Sequence, residues 1–223
     1  MRSLIRLSDF NKNDILNIFE IADDLKKGKY KDFLKGKTVV MFFPDSSIRT
    51  RVTFEKGIYL LGGQSILFSP ETLDKKEEIK DIVGYLNNWA DVLVVRYKDI
   101  SMIDKINSYS KVPVINAMTD VNHPCEMISD LYSLSKMREN YLGDKYLFCG
   151  RKCNIGLEWK EIANVMGLDF SMCCPKGYEM EGVTLYNDIY EAVKEKILFV
   201  QIRFQKNCWL NFQTIRLLKK LWS

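Results

Sequence analysis

Short runs of apolar and β-branched residues recur along the chain, each separated from the next by a longer segment of helical period. This alternation restricts the fold more than any other feature. Residues 38–43, 64–68, 91–97, 112–116, 146–149 and 170–174 read as strands buried on both faces, because they are near-continuous apolar runs. Residues 11–27, 52–61, 77–88, 100–109, 124–139 and 155–166 carry apolar side chains at helical spacing. Strand–helix alternation predicts an α/β fold of parallel sheets with helices on both faces. Ligands of such folds bind beyond the carboxyl ends of strands, so the loops after Phe43, Tyr97 and Asn116 are the places to look for chemistry.

Composition removes several alternatives. With 47% hydrophobic and 28% charged residues over 223 positions the chain can bury a full core, and disorder is excluded. It has no apolar run of about 18 residues and no signal-like start, so neither a membrane span nor secretion is expected and the expected location is cytoplasmic. The 6 cysteines lack paired zinc or disulfide-scaffold spacing and read as reduced thiols. The net charge of +4 belongs to the tail, since all 29 acidic residues precede residue 196. The body is mildly acidic and shows no nucleic-acid footprint.

Two segments carry candidate chemistry. Phe43-Pro44-Asp45-Ser46-Ser47-Ile48-Arg49-Thr50-Arg51 leaves a strand and opens a helix. A helix start offers unpaired N–H groups to an anion. Ser47 suits the N-cap, Thr50 adds a hydroxyl, and Arg49 presents a planar fork to phosphate oxygens. The second segment holds the single histidine, His123, between a polar loop and Pro124, which fits the first position of a helix. Arg96 leaves the end of the 91–97 strand. Phe148-Cys149-Gly150-Arg151-Lys152-Cys153 lacks the glycine order of a dinucleotide loop.

These residues together resemble the aspartate/ornithine carbamoyltransferase family. Ser47–Arg51, with Phe54-Glu55 and Leu61-Gly62-Gly63 downstream, is similar to its Ser-Thr-Arg-Thr-Arg phosphate loop. His123-Pro124-Cys125-Glu126, followed by Ser129-Asp130-Leu131, is similar to its His-Pro-x-Gln motif. The resemblance runs from about residue 3 to residue 195, is closest to the ornithine type, and departs at Ile48 (usually threonine) and Glu126 (usually glutamine). It implies two doubly wound domains: residues 1–139 binding carbamoyl phosphate and ending in an interdomain helix, and residues 140–223 forming a partial ornithine-binding domain, atypical after 195.

The implied activity is carbamoyl transfer from carbamoyl phosphate to the side-chain amine of ornithine, giving citrulline and phosphate. Arg49, Arg96 and His123 are the implied catalytic residues. Ser47, Ile48, Thr50, Glu126 and, from a neighbouring subunit, Lys75 complete the carbamoyl-phosphate set, and Asn154 holds the acceptor. A homotrimer, or a multiple of it, is implied; metal, organic cofactor, nucleic acid and membrane are not. Aspartate as acceptor, and an inactive carbamoyl-phosphate-binding remnant, are the alternatives. Beyond Glu195 the chain has no acidic residue, glycine or proline. It lacks the family's acceptor loops, and a back-translation in a shifted frame reads Phe-Ile-Cys-Thr-Asp-Ser-Leu-Pro-Lys-Glu. A truncated or frameshifted carboxyl third is therefore expected, ahead of a basic tail that docks on a partner or membrane.

Overall fold

The computed structural model describes residues 2–74, 76–194 and 198–202. It forms two compact units, the first comprising residues up to Asp144 together with Cys153–Asp169, the second Lys145–Lys152 and the described residues from Phe170 onward. The first unit thus continues past residue 139 and takes in the helix that opens at Asn154.

In the first unit, α1 (Lys12–Lys26) precedes β1 (Thr38–Phe42), α2 (Ile48–Leu60), β2 (Gln64–Phe68), α3 (Ile79–Leu86), β3 (Val92–Arg96), α4 (Ile100–Tyr109), β4 (Val114–Met118) and α5 (Pro124–Met137). The sheet order is β2-β1-β3-β4 and all three pairings are parallel. Leu4 bridges to Ile115 and so prolongs the sheet past β4. Successive side chains of a strand face opposite ways, and here both faces are apolar. Val40, Phe42, Leu93 and Val95 pack with Val83, Ile103 and Ile106 under α3 and α4. Val39, Met41, Phe43 and Val94 pack on the other face with Ile58 of α2.

Helix α2 ends where Gly62 takes φ +82°, and a side chain at Gly63 would meet Leu34 Cβ at 2.8 Å. The Gly62-Gly63 pair therefore serves both a left-handed turn and a close approach.

The second unit holds β5 (Lys145–Cys149), β6 (Asp169–Cys173), β7 (Thr184–Tyr186), α7 (Ile189–Lys194) and β8 (Leu198–Ile202), in sheet order β7-β6-β5-β8. Its core gathers Leu147, Cys149, Cys173, Ile189 and Ala192. Residues 198–202, within the stretch expected to be atypical, pair in parallel with β5. Helix α6 (Asn154–Met166), between β5 and β6 in sequence, belongs to the first unit. Parallel sheets flanked by helices, the expected α/β class, are what the chain forms. Lys75 and the residues after 202 lie outside the described residues.

Candidate active site

Within the first sheet the chain passes from β1 outward to β2 and then crosses to β3 on the far side of β1. The carboxyl ends of β1 and β3 consequently flank a topological switch point, the usual crevice of an open α/β sheet. The loop leaving β1 leads to Ser47, and β3 ends at Arg96. The β3–β4 pairing shifts register here, Val95 facing Asn116 and Arg96 facing Met118, so that Ala117 of β4 is the extra residue at this sheet rim.

Ser47 occupies the N-cap position of α2, as expected, but its hydroxyl does not cap the helix. It accepts a hydrogen bond from Arg96 Nη1 at 2.8 Å. The long-range guanidinium outcompetes the local N–H because a charged donor makes the stronger bond. Ser47 is buried by this contact, whereas Arg49 and Ile48 at the same helix start are exposed and Thr50 is half-buried. Arg51 turns back along the helix to Glu55 at 3.0 Å. The first-turn N–H groups of α2 are thus left without a side-chain cap and point, with Arg96 beside them, at the switch point.

The loop after β4 approaches the same strand ends. Thr119 and Asn122 brace it, Thr119 Oγ1 donating to Asn122 Oδ1 at 2.6 Å, while Asn116 Nδ2 and Asn122 Nδ2 each donate to the Ile5 carbonyl at 3.0 Å. This buried network sets His123, the N-cap residue of α5, with Pro124 at the first helical position. His123 Nε2 lies 3.0 Å from Glu126 Oε2, and its main-chain N–H donates to Glu158 Oε2 at 3.0 Å.

The charges around the histidine are mutually felt. Burial lowers the Arg96 pKa from its ordinary value, and the nearby negative charge of Glu126 opposes that. Burial, reinforced by Glu126 and opposed by His123, pushes Asp130 up to about 6. Ser47, Arg96, Glu126, His123 and Asp130 therefore form one electrostatic group. Asn154 lies at the start of α6, where Nδ2 donates to the Thr119 carbonyl at 3.0 Å and the side chain is buried. On the far side of Arg96, Tyr97 donates its hydroxyl to Asp74.

Sequence reasoning missed Glu158, Asn116, Thr119 and Asn122. Glu158 could have been found, since it occupies the stripe otherwise formed by Ile155, Trp159, Ile162 and Met166 on the buried face of α6. Among the described residues, no group of three or more histidine, cysteine or acidic side chains could hold a metal ion.

A strand-end arginine, a helix-start serine and a buried histidine around one switch point define an anion-binding α/β domain. The chain belongs to the aspartate/ornithine carbamoyltransferase family, residues 2–136 matching its carbamoyl-P binding domain. The ornithine carbamoyltransferase of Pelobacter propionicus is 35% identical over 184 residues, covering 80% of this chain and 60% of the relative. That of Geobacter sulfurreducens is 31% identical over 214 residues, covering 87% of this chain and 71% of the relative. The anabolic ornithine carbamoyltransferase structure from Campylobacter jejuni superposes with TM-score 0.78 at 29% identity, over 86% of this chain and 70% of that one. The chain spans about 60% of the length of several curated relatives it matches.

Proposed function

We propose that this protein transfers the carbamoyl group from carbamoyl phosphate to the side-chain amine of ornithine, giving citrulline and phosphate. The observation that carries the reading is the convergence of the Ser47–Arg96 pair and the His123–Glu126 pair on one switch point of the first sheet. The open N–H groups of α2, with Ser47, Ile48, Arg49 and Thr50, receive the phosphate. Lys75 reaches it from a neighbouring subunit.

The amine nitrogen attacks the carbonyl carbon, the bond from that carbon to the phosphate-bearing oxygen breaks, and the amine loses a proton as phosphate leaves. His123 and Arg96 donate to the carbonyl oxygen as its negative charge grows, and orientation plus preorganised electrostatics supply most of the acceleration. Glu126 accepts from the carbamoyl NH2. Residues 1–139 act as the carbamoyl-phosphate domain and residues 140–223 as the acceptor domain, with Asn154 on the amino acid's main-chain groups.

Exposed Ile48, Val52, Tyr59 and Leu60 on α2 and Ile66 and Phe68 on the edge strand β2 support a homotrimer or a multiple of it. A cytoplasmic site of action and a place in arginine metabolism follow from the same reading. No described helix is long and apolar enough to cross a membrane.

Binding without transfer is the second reading, favoured by Glu126 Oε2 lying 3.0 Å from His123 Nε2 and so engaging the nitrogen that transfer needs as a donor. Calorimetric titration with carbamoyl phosphate, followed by a citrulline assay with ornithine and then aspartate as acceptor, separates them. Binding with citrulline formation supports the enzyme; binding alone supports the second reading; no binding defeats both.

A further inference from the structure

The segment joining α1 to β1 carries backbone strain that no burial offsets. Residues 26–37 read Lys-Lys-Gly-Lys-Tyr-Lys-Asp-Phe-Leu-Lys-Gly-Lys, six lysines against one aspartate. All are exposed except Leu34, which packs partly buried on the apolar layer beneath α2. The turns are well formed: the N–H groups of Gly28, Lys29, Phe33, Lys35 and Lys37 find carbonyls within the segment or on α1, and that of Leu34 finds Leu61 at the end of α2. Yet Tyr30 takes φ +66°, a left-handed conformation that strains a bulky residue, and among the described residues only glycines otherwise adopt positive φ. Its ring meets that of Phe33 edge to face, centroids 6.1 Å apart. Both rings are exposed, Phe33 to 71%. The strain therefore holds two aromatic side chains together in solvent, among lysines.

We propose that this turn docks the protein on an anionic phospholipid surface, Tyr30 and Phe33 entering the headgroup layer and the lysines meeting lipid phosphates and carboxylates around them. Charge complementarity selects this occupant. Aromatic rings set among lysines match a bilayer interface, where apolar burial and attraction to anionic headgroups add. An acidic peptide is held best by planar guanidinium forks, and the segment has no arginine; lysine's compact charge suits a diffuse field. Successive bases of a single strand stack on ring faces, whereas these two rings lie at 76° to one another. A two-fold contact with a second copy would set six lysines against six.

Part of the charge is already engaged. Lys29 pairs with Asp24 at 2.9 Å and Lys37 with Asp91 at 2.8 Å. Lys26 lies 4.6 Å from the centre of the Tyr132 ring, which Lys136 shares at 5.0 Å. Lys31 and Lys35, on either side of Phe33, have no salt-bridge partner among the described residues. Each such lysine near an anionic surface strengthens binding by about fivefold, and salt screens the gain. The docking is therefore weak, reversible and separate from the carbamoyl-phosphate reading.

Sedimentation of the full-length protein with vesicles of mixed phosphatidylserine and phosphatidylcholine, and with phosphatidylcholine alone, tests the proposal. The protein should follow the anionic vesicles only, and less so as salt is raised. Lys31→Gln and Lys35→Gln should each weaken this about fivefold and Phe33→Ser roughly tenfold. Tyr30→Gly separates docking from folding: it should bind several-fold less well while its urea midpoint stays unchanged or rises, because glycine accepts the left-handed conformation without strain. The basic stretch after residue 195 is the same in every variant and cannot produce these differences. Equal affinity for both vesicle types, or vesicle binding that none of the four variants alters, overturns the proposal. So does a Tyr30→Gly protein that is less stable and binds normally. Binding of a polyglutamate peptide or an oligonucleotide but not of vesicles, or a Phe33→Ser change in oligomeric state with vesicle binding intact, assigns the surface to another partner and overturns it too.

Discussion

Helices α1 and α2 both begin with a residue suited to capping, and the two starts are finished in opposite ways. At α1, Asn11 accepts from the Asp14 N–H at 3.1 Å while Asp14 accepts from the Asn11 N–H at 2.9 Å, closing a reciprocal capping box. At α2, Ser47 occupies the same position and turns its hydroxyl to Arg96 instead. The first arrangement satisfies backbone donors internally and serves folding. The second leaves them for something external. Helix α5 is a third case: the carboxyl group on its N-cap N–H comes from Glu158 of α6, while Glu126, at the position Asp14 holds in α1, faces the histidine ring. At α5 the structural role of the cap is thus transferred to another element.

The comparison predicts different consequences for stability and for binding. The largest belongs to Arg96. Truncating a half-buried charged donor that meets both Ser47 and a bound anion should cost about 2–5 kcal/mol of binding. Arg96→Leu should weaken carbamoyl phosphate binding by roughly thirtyfold or more in calorimetry. An Arg96→Leu protein that binds normally would break the link between the open helix start and the ligand.

Next comes the pH dependence of stability set by Glu158. Its folded value of about 8 exceeds the ordinary 4.5, so between these values the native protein keeps a proton that the unfolded chain has released. Stability is full below about pH 4.5 and declines as pH rises toward about 8, by on the order of a few kcal/mol. Asp130, raised to about 6, adds a decline of the same sign over a narrower window. Urea midpoints measured at about pH 5, 7 and 9 should fall steadily for the unaltered protein and flatten in Glu158→Gln. A midpoint that rises with pH would contradict a borrowed, protonated cap.

The elements of this fold were largely legible, because buried parallel strands are apolar runs and their helices carry a clear period. Residues 91–97 needed no tertiary information to be read as a buried strand, whereas 64–68, read as buried on both faces, form the exposed edge strand β2, because its outer neighbour is absent from the sheet. The site was legible where its parts are local, as in His123, Pro124 and Glu126. It was illegible where partners are distant: Arg96 taking the Ser47 hydroxyl, or Asn116 and Asn122 reaching the Ile5 carbonyl, are choices made only once the sheet has formed. Ser47 shows the mechanism of the misreading. Its residue type marks a cap and its position is a cap, but a guanidinium delivered from the end of β3 is the stronger donor. Glu158 is the converse case, a charge on an apolar stripe whose purpose is invisible until α5 and α6 pack together.

Ser47→Ala tests that misreading directly. Because the hydroxyl makes no cap bond, its loss should leave unfolding stability within about 0.5 kcal/mol, less than the ~1 kcal/mol of a working cap. Freed from its anchor, Arg96 should bind carbamoyl phosphate about tenfold less well, near 1.4 kcal/mol. A stability loss with unchanged affinity would reassign Ser47 to folding.

The smallest effect should come from the closed cap. Asn11→Ala removes the acceptor for the Asp14 N–H and should destabilise by about 1 kcal/mol with carbamoyl phosphate affinity unchanged. The Asn11 N–H, with Arg2 adding to it, holds the Asp14 carboxyl below the usual carboxylate range. A lowered folded value means that this contribution is present above the unfolded pKa and is lost as pH falls through the folded one, opposite in sign to Glu158. Asn11→Ala keeps the main-chain donor and should run parallel to the unaltered protein at every pH, whereas acid titration of the unaltered protein and Asp14→Ala should show the two converging at low pH, where protonated Asp14 no longer completes the box. If they stay apart there, the box is held by geometry and not by charge, and the two helix starts differ less in kind than in partner.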